Sequence, residues 1–292
     1  MSQLAPSHPN SNRDLVLAWL GVLPFFLFAI LFLIVPSGNL LVGSFQNAAG
    51  QITLENFSGL FQENILNSYI LSLQISVVTA VAGGLFGFLL AYAAILGGLP
   101  KWIRTSLLTF SGVASNFAGV PLAFAFIATL GRLGFITVLL RAIGFDIYGA
   151  GFNLYSFAGL SVTYLYFQFP LMVLIIAPAL DGLKHEWREA SENLGASTLQ
   201  YWRFVALPVL LPSLLGTMIL LFGNALGAYA TAFALVSGTF PLATILIGRQ
   251  IRGDVLQNPN LGYAVAMGMV IIMGLSILVY SLLQRKTERW LK

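Results

Sequence analysis

The sequence predicts an all-α membrane protein with six transmembrane helices. Composition predicts the membrane: of 292 residues, 58% are hydrophobic and 8% charged, against about 45–50% and about 25% in soluble domains. Six charge-free apolar runs predict the number of crossings, and the Lys and Arg between them predict the orientation. The same composition excludes intrinsic disorder, which needs low hydrophobicity and high charge. With no cysteine in the chain, disulfides, thiolate metal sites and cysteine nucleophiles are excluded as well.

A crossing needs about 20 mostly apolar residues. The runs at 15–35, 64–100, 105–131, 147–180, 204–248 and 255–284 qualify. Trimmed, they give spans at 15–37, 66–96, 106–130, 156–180, 210–236 and 262–284. Within the fifth run, Ser237-Gly238-Thr239-Phe240-Pro241 reads as a turn. The residues from Leu242 to Gly248 are too few for a seventh span and read as a re-entrant or surface segment. The chain divides into a flexible tail (1–14), a first helix with its periplasmic loop (15–63), a transmembrane core (64–284) and a basic tail (285–292). The first apolar run is too long for a cleaved signal peptide and reads as a retained span.

Cytoplasmic loops carry the excess of Lys and Arg. Arg13, Lys101, Arg104, Lys184, Arg188, Arg203, Arg285, Lys286, Arg289 and Lys292 fall on one side of a six-span layout. Only Arg132, Arg141, Arg249 and Arg252 fall on the other. Both termini are therefore expected in the cytoplasm. The net charge of +4 is explained by this scatter, so nucleic acid is not an expected partner, whereas membrane lipid is.

Ionisable groups inside spans mark proton relays, ion paths and intramembrane active sites. The six spans contain none, and the two histidines, His8 and His185, lie outside them. Proton-driven transport and intramembrane catalysis are thus disfavoured, and uphill transport would need energy from another subunit. Neutral polar residues remain, of which Tyr164, Gln168, Asn224, Tyr229 and Thr231 are candidate linings of a translocation path. Interhelical hydrogen bonding is the alternative role for each. Arg249 and Arg252 open a polar segment reaching Asn260, which is expected to face the periplasm and is a candidate contact for a delivering protein.

The loop after the fourth span carries the most specific signal. From Asp181 to Ser197 it spaces Trp187, Ala190, Ser191 and Leu194 on one helical face, with Glu186, Glu189 and Glu192 elsewhere. Gly195 is placed to end this short helix, and Leu207-Pro208 opens the next span. Glu189-Ala190-Ser191, three residues, Gly195, nine residues, Val205, one residue and Leu207-Pro208 resembles the EAA loop of binding-protein-dependent (type I) ABC importer permeases. That pattern reads Glu-Ala-Ala, three residues, Gly, nine residues, Ile, one residue, Leu-Pro. Ser191 and Val205 are the departures.

The resemblance implies the permease fold of such importers, with this loop as a cytoplasmic coupling helix. It assigns Glu189, Ala190, Ser191, Gly195, Leu207 and Pro208 to docking on an ABC ATPase dimer. It also implies a second permease subunit, a periplasmic substrate-binding protein and a bacterial inner-membrane location. The chain has no GxxxxGK[ST] sequence, so no cofactor is expected in it; ATP and Mg would be held by the ATPase. The stretches around Phe169-Pro170-Leu171-Met172 and Gly227-Ala228-Tyr229-Ala230-Thr231 resemble most the polyamine, iron and phosphonate branch. A polyamine is the expected substrate, with phosphonate, ferric iron or another small solute as alternatives. A passive channel or a membrane scaffold would gain nothing from the loop.

Overall fold

A computed structural model describes residues 12–236, 240–252 and 258–288, and they are almost wholly helical. The first helices are α1 (Asn12–Ala29), α2 (Val35–Ser44), α3 (Glu55–Gly59), α4 (Glu63–Leu96) and α5 (Lys101–Asn116). Next come α6 (Val120–Leu130), α7 (Phe135–Ala142), α8 (Phe157–Asp181), α9 (His185–Asn193) and α10 (Thr198–Tyr201). The last are α11 (Leu207–Gly227), α12 (Tyr229–Val236), α13 (Ala243–Arg252) and α14 (Pro259–Glu288). Among the described residues, six stretches are long and apolar enough to cross a membrane: Trp19–Ser44, Glu63–Leu96, Val120–Ala142, Phe157–Asp181, Thr198–Gly227 and Pro259–Arg285.

The expected number of spans is therefore found, with corrected boundaries. The first continues past residue 37 to Ser44 through a π turn at Ile30–Ile34. A second π turn, Trp202–Ala206, joins α10 to α11, so the fifth helix begins at Thr198 rather than near 210. Both turns have one cause. Proline lacks an N–H and clashes with the carbonyl four residues back, and Pro36 and Pro208 follow the two turns directly. Widening the turn relieves the clash, and the residue before each proline bonds five back: Val35 to the Ile30 carbonyl and Leu207 to that of Trp202.

The third span is not one helix over 106–130. Gly119 and Pro121 break it between α5 and α6, and a turn at 131–134 then leads into α7. The fifth does not run unbroken to 236 either; it stops at Gly227 and resumes as α12. The segment from Leu242 is the start of α13, whose Ala243 N–H donates to Ser72 Oγ on α4 at 2.9 Å. Residues 237–239 of the expected turn at 237–241 lie outside the described residues, as do residues 1–11, 253–257 and 289–292 of the tails and the segment after Arg252.

The core is the pairing of α4 with α8, the most extensive in the molecule, with α11 against both. Lipid tails are as apolar as leucine, so membrane helices associate through close packing of small residues. The buried face of α4 accordingly carries Ser72, Ser76, Thr79, Ala80, Gly83, Gly84, Gly87 and Ala91. A Cβ on Gly83 would stand 2.6 Å from Gln168 Cβ, and one on Gly87 2.6 Å from Met172 Cβ. Outside this core, α14 packs on α2, α11 and α13, and the Tyr69 hydroxyl ties α4 to it through the Val265 carbonyl.

Candidate functional site

The two helix breaks lie side by side. Gly119, between α5 and α6, has φ +77° and ψ −151°, a region open essentially to glycine alone. Its N–H, left unpaired by the break, donates to Thr231 Oγ1 at 2.7 Å. Across from it, Ala228 interrupts the fifth helix, and the buried Tyr164 hydroxyl donates to its carbonyl at 2.8 Å. Each break thus has a backbone group satisfied by a side chain from another element, as irregular backbone at membrane depth requires.

Between the breaks is a cavity of about 450 Å³, lined by Ser115, Ala118, Gly119, Phe167, Gly223, Asn224, Gly227, Ala228, Tyr229, Ala230 and Thr231. Among the described residues, no charged side chain lines it. Of the candidate path residues, Asn224, Tyr229 and Thr231 line this cavity. Tyr164 and Gln168 do not: they are buried behind it, 1% and 0% exposed. Gln168 donates from Nε2 to the Leu221 carbonyl at 2.9 Å. Both brace the broken fifth helix from α8. Tyr164→Phe leaves the Ala228 carbonyl without its donor, which costs about 1–3 kcal/mol. The expected result is a lower midpoint of thermal unfolding in detergent, with the six spans still inserted.

Sequence reading missed Ser115, Ala118 and Gly119. Their signal is the Gly119-Val120-Pro121 order, since proline in a first helical turn after glycine marks a helix start inside what composition alone counts as one span.

At the other end of the long helices lies the α9 loop. Its helix covers His185–Asn193 and ends in a Schellman motif: the Ala196 N–H donates to the Ser191 carbonyl at 3.0 Å, and that of Gly195 to Glu192 at 2.9 Å, with Gly195 at φ +76°. Ser197 and Gln200 then form a reciprocal capping box that starts α10. The expected single apolar face is divided. Ser191 is buried and Trp187 half-buried against the protein, and Lys184 Nζ stands 5.8 Å from the Trp187 ring. Leu194, the C-cap of α9, is 87% exposed, and Leu199, in α10 beyond the turn, is 78% exposed. Ala190 and Glu189 are exposed as well; Glu189 pairs with His185 at 3.0 Å and Arg188 with Glu192 at 3.0 Å. The Arg104–Asp181 pair, on α5 and α8, lies at this same end. Pro208, in the first turn of α11, and Leu207 join the loop rigidly to the cavity-lining helix.

Arg249 and Arg252 are on α13, both exposed. Arg252 shares a hollow of about 250 Å³ with Tyr229, Thr244, Ile247, Gly248 and Ile251.

Three comparisons place this architecture. The chain is 26% identical to the spermidine/putrescine transport system permease protein PotB of Haemophilus influenzae, over 90% of this chain and 94% of that one. It is 26% identical to a probable sulfate transport system permease protein, cysT, of Chlorella vulgaris over 73% of this chain and 77% of the relative. Its fold superimposes with a TM-score of 0.76 on a chain of a bacterial ABC transporter involved in the import of the acidic polysaccharide alginate, at 18% identity and covering 94% and 96% of the two chains. The model of the family described as binding-protein-dependent transport system inner membrane component matches residues 83–292, a region that holds both helix breaks, the cavity and the α9 loop. The chain, a six-span membrane transport component, belongs to that family.

Proposed function

We propose that the chain forms half of the pathway of an ATP-driven importer, taking a small solute from a periplasmic binding protein. A second permease chain supplies the other half, and ATP hydrolysis occurs in a separate ABC ATPase. The observation that carries this reading is the rigid connection of two features. An exposed loop with apolar Leu194 and Leu199 in a charged rim suits a partner's groove. One continuous helix leads from that loop to the broken segment at the cavity. Movement of a docked ATPase would then reach the cavity as a rigid-body shift.

In this reading the α9 end is cytoplasmic, as are both termini, in a bacterial inner membrane. A single cysteine at Ser197, in a chain that has none, is expected to react with a membrane-impermeant thiol reagent only from the cytoplasmic side. Labelling from the periplasm alone would reverse the orientation.

Two substrate classes compete. A polyamine fits the sequence resemblance and the relative from Haemophilus influenzae, and Phe167 and Tyr229 offer aromatic faces to an ammonium. A small oxyanion, as in the relative from Chlorella vulgaris, fits the chemistry of the walls better. Among the described residues the cavity lining contains no carboxylate and Arg252 is the charged residue of the adjoining hollow, and the starts of α6 and α12, both at the cavity, favour negative charge. The test is ATPase activity of the assembled complex with sulfate-loaded and spermidine-loaded binding proteins. Stimulation by sulfate supports the oxyanion, stimulation by spermidine the polyamine, and stimulation by no loaded binding protein counts against the importer reading.

A further inference from the structure

We propose that the hollow beside α13 is an outer station of the solute path, taking a small oxyanion, and that the Tyr229 ring is the partition between it and the cavity at the helix breaks. The inference rests on the importer reading. Tyr229 lines both spaces, the outer of about 250 Å³ and the inner of about 450 Å³. Its ring stacks on Phe233, with centroids 5.3 Å apart and planes at 27°. The ring also meets Gly248, where a Cβ would stand 3.1 Å from the hydroxyl and 3.2 Å from Cε2. The absence of that Cβ leaves the ring its room.

The walls around the ring are fixed more firmly than the ring itself. The start of α13 is anchored to α4 by the bond from the Ala243 N–H to Ser72 Oγ, with Ala243 fully buried. The start of α12 is held by the Tyr164 and Thr231 bonds at the two breaks. A hinge of the side chain is therefore the smallest movement that joins the two spaces. The chemistry of the outer station follows from its lining: among the described residues Arg252 is the one charged side chain there, and a guanidinium matches the paired oxygens of an oxyanion while repelling a polycation.

The test uses the complete complex with its ATPase, partner permease and binding protein in liposomes, and measures ATP-driven uptake of radiolabelled sulfate and spermidine. Gly248→Ala should slow sulfate uptake about tenfold, because a methyl group forced against the ring restricts its swing. Adding Tyr229→Ala to Gly248→Ala should restore uptake, which a defect at Gly248 that does not act through the Tyr229 ring would not allow. Arg252→Gln should raise the half-saturating sulfate concentration about fivefold through loss of a charge-assisted contact. Wild-type speed in Gly248→Ala, or no recovery in the double variant, overturns the partition. Uptake of spermidine but not sulfate by the wild type, or an unchanged half-saturation in Arg252→Gln, overturns the oxyanion station. A wild-type complex that hydrolyses ATP without importing either solute points instead to failure of the importer reading.

Discussion

Gly195→Asp is expected to abolish ATP-driven uptake while leaving six inserted spans. Gly195 sits at φ +76°, at the position where the Schellman bonds from Gly195 and Ala196 close α9. A residue with a Cβ pays roughly 1–2 kcal/mol for that conformation. Nothing within 4 Å would meet the new Cβ inside this chain, so the side chain projects outward, beside the exposed Leu194. Strain in the turn and a new charge in the docking surface therefore act together. Gly195→Asn should be milder, since asparagine tolerates the left-handed region better than other residues and adds no charge. The measurement is recovery of the ATPase with the tagged permease, alongside uptake. Normal association together with normal uptake in Gly195→Asp would remove α9 as the coupling element.

The second large effect is expected from Gly87→Leu, which acts on folding. A Cβ there would lie 2.6 Å from Met172 Cβ and 2.9 Å from the Phe169 carbonyl oxygen. The oxygen belongs to the α8 backbone and cannot swing aside as a side-chain end can, so α4 and α8 must separate. Overpacking of this kind costs about 1–3 kcal/mol, at times more, and here it falls on the principal helix pair. Little correctly folded protein should survive size-exclusion chromatography after mild heating in detergent. Gly112→Ala is the matched control. Its Cβ would meet nothing within 4 Å on the helix α5, where alanine is favoured by about 1 kcal/mol, so its stability should equal or exceed the wild type. Equal heat stability of Gly87→Leu and wild type would contradict the packing described.

Much of this was legible in the sequence because a bilayer leaves few options: charge-free length marks a span whatever its neighbours do. The number of spans and the end of α9 at Gly195 follow from local signals of that kind. The breaks at Gly119 and Ala228 did not, because hydropathy cannot distinguish a straight helix from two half-helices whose loose ends are satisfied elsewhere. Those satisfiers, Thr231 for Gly119 and Tyr164 for Ala228, are separated from their partners by 112 and 64 positions, so no local pattern reports them. For the same reason no local pattern reports that the Tyr164 hydroxyl and Gln168 Nε2 bond backbone carbonyls of the fifth helix from behind the cavity, while Gln168 Oε1 is buried without a partner. The exposure of Leu194 is a further case, since helical spacing alone groups it with Trp187 and Ser191 and does not report that it is the C-cap residue, where the chain leaves α9.

Solute is expected to pass through the space between the two breaks. Asn224 is exposed and lines that space, and the chain contains no cysteine of its own. Asn224→Cys in the reconstituted complex, treated with a bulky thiosulfonate, measures the claim most directly. Stoichiometric modification should block ATP-driven uptake, with transport returning once the disulfide is reduced. Complete modification with uptake unchanged would contradict the claim and place the path elsewhere.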